Sequence, residues 1–234
     1  LTLTGTTVVE GNPVEFTATL STASSTPVTF TVLTTSGNPP NGATSNADFQ
    51  PILVPILVTI PANSLTYVLP FTIGTIIDPI FEQTETFFLN ATVTSGNTDN
   101  IDPVGIGTIT ESLLPPTFTI TGNTATEGNP ITFTATLSGP SSTDTIITVV
   151  TNTGTATSPE DYNATPTVTT ITIPAGSLTG ITQVNTLDDN INEPQEQCTL
   201  TGTVTSGNTS NLDATGTGTI DDDTTDPTVT ITGT

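Results

Sequence analysis

The chain has 234 residues and carries 22 Asp and Glu against no Lys, Arg or His, a formal charge of −22. It therefore has no cation to hold a nucleic-acid phosphate or to seek an anionic membrane surface. The usual general base, Schiff-base amine and cationic transition-state stabiliser are missing as well, so an enzyme would have to run on carboxylates alone.

Roughly a quarter of the residues are Thr, and the apolar residues alternate regularly, which is sheet composition and not the signature of disorder. The opening stretch "LTLTGTTVVEGNPVEFTATLS" (1–21) sets Val14, Phe16, Ala18 and Leu20 against Glu15, Thr17, Thr19 and Ser21, the period of two of a half-buried strand. The densest apolar run, "PILVPILVTI" (51–60), is broken by Pro55 and falls far short of the roughly 20 residues of a membrane helix. Phe87, Leu89, Ala91 and Val93 form another core-facing alternation, which turns Phe88 outward as a possible contact point or an ordinary exposed aromatic. "ESLLPPT" (111–117) then reads as a short Pro-containing linker.

At residue 118 the pattern starts again. "FTITGNTATEGNPITFTATLS" (118–138) nearly copies the opening, and "VTSGNT" recurs from Val93 to Val204, about 111 residues on. Ile131, Phe133, Ala135 and Leu137 repeat the first alternation. Cys198, Leu200, Gly202 and Val204 repeat the second, which places Cys198 at a core Phe position and argues against a reactive thiol. A lone Cys also allows no intrachain disulfide. "DDDTTDPT" (221–228) is a second linker, and the closing "PTVTITGT" matches "PTFTITGN" at 116–123.

The expected domains are therefore repeat 1 at 1–114, repeat 2 at 115–226, and the first strand of a truncated third copy at 227–234, a window on a longer array. About seven strands per copy, no helical periodicity and frequent turn signals predict an all-β chain of tandem immunoglobulin-like antiparallel β-sandwiches arranged end to end. Each copy is long enough for a core of its own.

The carboxylates gather. In the second copy they are Glu127, Asp161, Asp188, Asp189, Glu193, Glu196 and the run Asp221, Asp222, Asp223. Strand ends distant in sequence can meet at one pole of a sandwich, and like charges a few Å apart with no Lys or Arg nearby either spread apart as a solvated face or take up a hard cation such as Ca²⁺.

"DDNINEPQE" (188–196), "EDY" (160–162) and "GTIDDD" (218–223), in that spacing, resemble the Calx-β domain, and the resemblance spans both copies. It implies an immunoglobulin-like sandwich with Ca²⁺ clustered at one end beside the linker. The implied ligands are Glu127, Asp161, Asp188, Asp189, Glu193, Asp221, Asp222 and Asp223, with Glu196 the loosest match. The first copy keeps Glu10, Asp48, Asp78, Glu82 and Glu85, but Ile77 stands at the Asp188 position. "TES" (110–112) replaces the aspartate run and leaves Glu111 alone there. This first site is expected to be weaker, to hold fewer ions or to be empty.

The composition and the repeats resemble the stalk of a giant bacterial surface adhesin, including the gliding filaments of Bacteroidetes. That resemblance implies extracellular spacer repeats stiffened by Ca²⁺, which serve attachment or gliding through neighbouring repeats and a distant tip, with no enzyme activity. Two other classes stand beside it: a Ca²⁺-sensing regulatory module, and a repeat that binds sugar or ice. Sugar sites usually need stacking aromatics, and the chain has no Trp and two Tyr; sheet twist disfavours the flat Thr array an ice face needs. Sequons at Asn90, Asn163 and Asn208, and the "DTI" and "DTT" triplets, carry little weight in a chain this rich in Thr.

Overall fold

The computed structural model describes residues 1–165, 169–225 and 227–233. The expected boundary at 226 and the last residue of the third copy, 234, lie outside the described residues. The chain divides into two compact units, Leu1–Leu113 and Leu114–Thr234.

Unit 1 contains β1 (Thr2–Gly5), β2 (Thr7–Val9), β3 (Val14–Thr19), β4 (Val28–Thr35), β5 (Ile56–Ile60), β6 (Thr66–Ile73), β7 (Glu85–Ser95) and β8 (Val104–Thr110). They form a three-stranded sheet in the order β1-β3-β6 and a five-stranded sheet in the order β2-β8-β7-β4-β5. Alternation decides which residues face inward: Val14, Phe16 and Ala18 of β3 are buried, as are Val28, Phe30 and Val32 of β4 and Phe87, Leu89 and Ala91 of β7. Phe49 stacks on Phe87 with ring centroids 4.3 Å apart, and Phe16 meets Phe87 edge-on at 6.1 Å.

Unit 2 repeats the arrangement with β9 (Phe118–Gly122), β10 (Thr124–Thr126), β11 (Ile131–Leu137), β12 (Thr145–Thr153), β13 (Thr169–Ile173), β14 (Thr179–Val184), β15 (Glu196–Ser206) and β16 (Asp213–Asp221). Its sheets run β14-β11-β9 and β10-β16-β15-β12-β13. Cys198 is fully buried at the position of Phe87, and buried Tyr162 stands where unit 1 has Phe49. Burial raises the Cys198 thiol pKa, so this sulfur behaves as a core atom.

Each unit is thus a β-sandwich, but the expected seven antiparallel strands become eight, with one parallel pair. The first strand of each copy divides and changes sheet: β1 and β9 pair with β3 and β11, while β2 and β10 run parallel to β8 and β16. Gly5 and Gly122 sit at the crossing. A Cβ there would lie 2.3 Å from the Ile106 carbonyl oxygen or 2.5 Å from that of Thr217, so only glycine lets the chain pass this close to the opposite sheet.

Residues 227–233 join no strand, although a third copy of β1 was expected there. β1 and β9 are held by β3 and β11, and the 234 residues hold no third copy of that partner.

Candidate metal centres

The strand crossing places the first carboxylate of each unit. The parallel pairing of β2 with β8 lets the Glu10 N–H donate to the Thr110 carbonyl at 3.0 Å, and Glu127 does the same to Asp221 at 3.0 Å. Each glutamate is thereby held beside the residues that close its unit, Glu111 in unit 1 and Asp221, Asp222 and Asp223 in unit 2. Both are buried, 8% and 7% exposed.

A second carboxylate comes from the turn before the buried aromatic. Asp48 Oδ2 accepts the Thr44 N–H at 2.5 Å, and Asp161 Oδ2 accepts the Thr157 N–H at 2.6 Å. These turns are tied to the loops that lead to β7 and β15 by Ile76 N–H to the Asp48 carbonyl and Leu187 N–H to the Asp161 carbonyl, each at 2.9 Å. Glu85 and Glu196 open β7 and β15 and complete the layout, with Glu82 and Glu193 three residues earlier.

Among the described residues three carboxylate groups result, each offering oxygens within 4.8 Å of one another: Asp48, Glu82 and Glu85 in unit 1, and Asp161, Glu193 and Glu196 together with Glu127, Asp222 and Asp223 in unit 2. Two full charges at such a separation repel by about 1 kcal/mol in water and about 3 kcal/mol at an effective dielectric near 20. With no basic side chain available, protons respond first. Burial, then the Asp48 and Asp78 charges, push Glu82 up to about 7. Burial and Asp48 raise Glu85 to about 8. Glu196 reaches about 7 through burial and its hydrogen bond to Asp161. Glu127 and Glu193 are also raised, again by burial first and then by the charges of Asp222 and Asp161 respectively.

The asymmetry expected between the copies falls on one group only. The triad Asp48, Glu82 and Glu85 of unit 1 is the counterpart of Asp161, Glu193 and Glu196, and it is intact. The difference lies at Glu10. In unit 1 the Ser112 hydroxyl donates to Glu10 Oε1, and the Ser112 N–H reaches the same oxygen at 3.3 Å. Glu111 is satisfied in turn by the N–H groups of Leu113 and Glu82, both at 2.7 Å, and its pKa is lowered because these bonds outweigh burial. In unit 2 the serine is replaced by Asp223, which cannot donate when ionised. Glu127 Oε2 is left buried with no hydrogen-bond partner among the described residues.

The remaining expected ligands lie around these groups. Asp222 receives the Glu193 N–H at 3.0 Å and the Thr224 N–H at 2.9 Å, and the bonds from Thr224 hold its pKa low. Asp221 Oδ1 accepts Gln195 Nε2 at 2.6 Å, and Asp189 Oδ1 accepts the Ile191 N–H at 2.6 Å. Asp188 sits against Gly128. Asp78 caps its own loop through the Ile80 N–H at 2.8 Å. None of Asp78, Asp188, Asp189 and Asp221 belongs to a three-carboxylate group among the described residues, although the Asp189 and Asp78 charges bear on Glu127 and Glu82. Sequence reasoning passed over Ser112 and Thr224, because a serine at an aspartate position reads as a lost ligand and its role as a substitute donor needs the Glu10 contact.

No family model matches the chain, and no curated protein matches it. Solved chains that match this one include the calcium binding domain CBD12 of CALX1.1, with 13% identity and a TM-score of 0.41 over 94% of this chain and 100% of that one. CBD12 from CALX1.2 gives 15% identity and a TM-score of 0.37 over 89% of this chain and 84% of that one. The titin domains Z1Z2 in complex with telethonin give 13% identity and a TM-score of 0.31 over 96% and 95%.

Proposed function

We propose that the chain is a pair of Ca²⁺-binding β-sandwich repeats that serve as spacers in an extracellular bacterial adhesin filament, for surface attachment or gliding, without enzyme activity. The observation that carries the metal assignment is the buried, unpartnered Glu127 Oε2 beside Asp222 and Asp223 in a chain without a basic side chain. A buried carboxylate oxygen without a donor costs free energy that a bound cation recovers. An all-oxygen, all-carboxylate donor set suits a hard ion, and Ca²⁺ tolerates the irregular arrangement better than Mg²⁺.

Glu127, Asp222 and Asp223 would hold one ion in unit 2, and Asp161, Glu193 and Glu196 another. Asp48, Glu82 and Glu85 would hold an ion in unit 1, where Ser112 substitutes for the second. Support for the spacer role comes from the repetition itself, from the lack of cationic catalytic groups, and from acidic ends that millimolar extracellular Ca²⁺ would neutralise. Calcium titration of chelator-treated protein by calorimetry tests this assignment. Saturable binding below millimolar concentration is expected, with one event lost in Glu127→Gln while the others persist. No heat up to about 10 mM Ca²⁺, beyond the range of extracellular Ca²⁺ modules, would leave the acidic ends as solvated faces.

A further inference from the structure

The outer face of the five-stranded sheet differs between the two units in a way the acidic ends do not explain. In unit 1 Phe88 of β7 lies opposite Ile106 of β8, and Asn90 lies opposite both Val104 of β8 and Leu33 of β4. Leu57 of β5 extends the patch opposite Thr31. Val104 and Ile106 are each 51% exposed, Leu57 63% and Leu33 36%.

The same register positions in unit 2 read Thr199 opposite Thr217, Thr201 opposite Thr215, and Thr170 opposite Thr148, with only Val150 apolar at the position of Leu33. Both faces bond within themselves, Thr201 to Thr215 at 3.2 Å in unit 2 and Asn90 Nδ2 to Thr35 Oγ1 at 2.9 Å in unit 1, but only unit 1 sets a group of apolar side chains among those bonds. One backbone thus carries a Thr face and an apolar face, and the fold does not require the apolar one. Phe88 is half-buried and not alone: it shares this face with Ile106, Val104, Leu33 and Leu57, with Asn90 and Thr31 set between them.

Charge narrows what can cover it. No outward position of β2, β4, β5, β7 or β8 is ionisable, in a chain of net charge −22. A basic partner gains nothing from such a face, whereas an identical face meets it with no charged group to desolvate. We propose that this face of unit 1 is a self-association surface, packed against the same face of a second copy of the chain. Two twisted sheets stack about 10 Å apart with interleaved side chains, and a face paired with itself about a two-fold axis closes at a dimer. Five strands about 4.8 Å apart and averaging about seven residues span a face of at most about 500 Å² per copy and about 1,000 Å² in total, the lower edge of specific interfaces. An interface at that edge makes a weak association.

The two strongly acidic chains repel at long range, so added monovalent salt tightens this dimer, the reverse of its effect on a contact between opposite charges. Sedimentation velocity over a concentration series, in chelator and at low and high NaCl, tests the proposal. The wild type is expected to form dimers that strengthen with salt. Phe88→Thr/Ile106→Thr, which installs the unit 2 residues, should weaken dimerisation at least tenfold and leave the melting curve of the unit in place. Ile181→Thr, on the other sheet of unit 2, should change nothing. As a second readout, oxidised Ile106→Cys should yield a covalent dimer faster than Ile181→Cys. A chain that stays monomeric throughout, a dimer indifferent to the double substitution, or one dissolved by salt would overturn the proposal.

Discussion

At the scale of single residues, Ser112 and Asp223 occupy one position in two copies and settle how each glutamate beside them is satisfied. The Ser112 hydroxyl supplies Glu10 with the donor that Glu127 lacks. Ser112→Asp should therefore convert unit 1 toward unit 2. In chelator it is expected to lower the stability of unit 1 by about 1–3 kcal/mol, the cost of an unpaired buried polar group. With Ca²⁺ present it should add a binding event, so one substitution carries opposite signs in chelator and in calcium when unfolding is followed in both. The raised carboxyls give a pH signature of their own. Glu82 and Glu196 titrate at about 7 and Glu85 at about 8, against an ordinary 4.5. Between these values the folded chain holds protons that the unfolded chain has released, so stability is full below about pH 4.5 and is lost as pH rises through 7 to 8. Glu111 and Asp222 are shifted down and act in the opposite sense, with stability lost as pH falls below the ordinary carboxylate range. Denaturant unfolding of the calcium-free protein should show an optimum near pH 5 and a decline to pH 8, and Ca²⁺, which competes with those protons, should flatten the decline.

At the scale of elements, the switch of the first strand from one sheet to the other is what carries Glu10 and Glu127 to their acidic ends. Gly122→Ala puts a methyl 2.5 Å from the Thr217 carbonyl oxygen and 2.7 Å from the Phe133 ring, so backbone must shift. A loss of about 2–4 kcal/mol in unit 2 is expected from thermal unfolding, and with it weaker calcium binding at Glu127. This crossing was not legible in the sequence, because "TITGNTAT" alternates as well across a sheet change as along one strand. The core strands were legible for the converse reason: Ile131, Phe133, Ala135 and Leu137 point one way for a full strand and leave no other face to bury. The carboxylates at the ends could be listed from motif spacing, but their grouping could not. Whether Asp189 joins Glu127 or turns back to the Ile191 N–H depends on loop geometry that no spacing encodes. The apolar face needed register too, since Phe88, Ile106 and Leu33 are far apart in sequence and become neighbours only through strand pairing.

At the scale of the whole molecule, 22 carboxylates with no internal counter-charge make solvent ions part of the stability of both units, and calcium should act on the two unequally. An ion that binds only the folded state stabilises it by about 2.7 kcal/mol at 100 times its Kd, which for a domain of this size is a rise in Tm of about 10–20 °C. Among the described residues unit 2 offers two carboxylate groups and unit 1 offers one, so calorimetric melting in excess Ca²⁺ should resolve two transitions where chelator brings them closer together. The upper transition is assigned by Glu127→Gln, which should lower it in calcium without moving the lower one. Monovalent salt at equal ionic strength should raise both transitions by similar, smaller amounts, because screening acts on the net charge of each unit and not on a particular trio of oxygens. Equal shifts in calcium and in NaCl would mean that the acidic ends respond to ionic strength alone, and the unpartnered oxygen of Glu127 would then have no ion to answer for it.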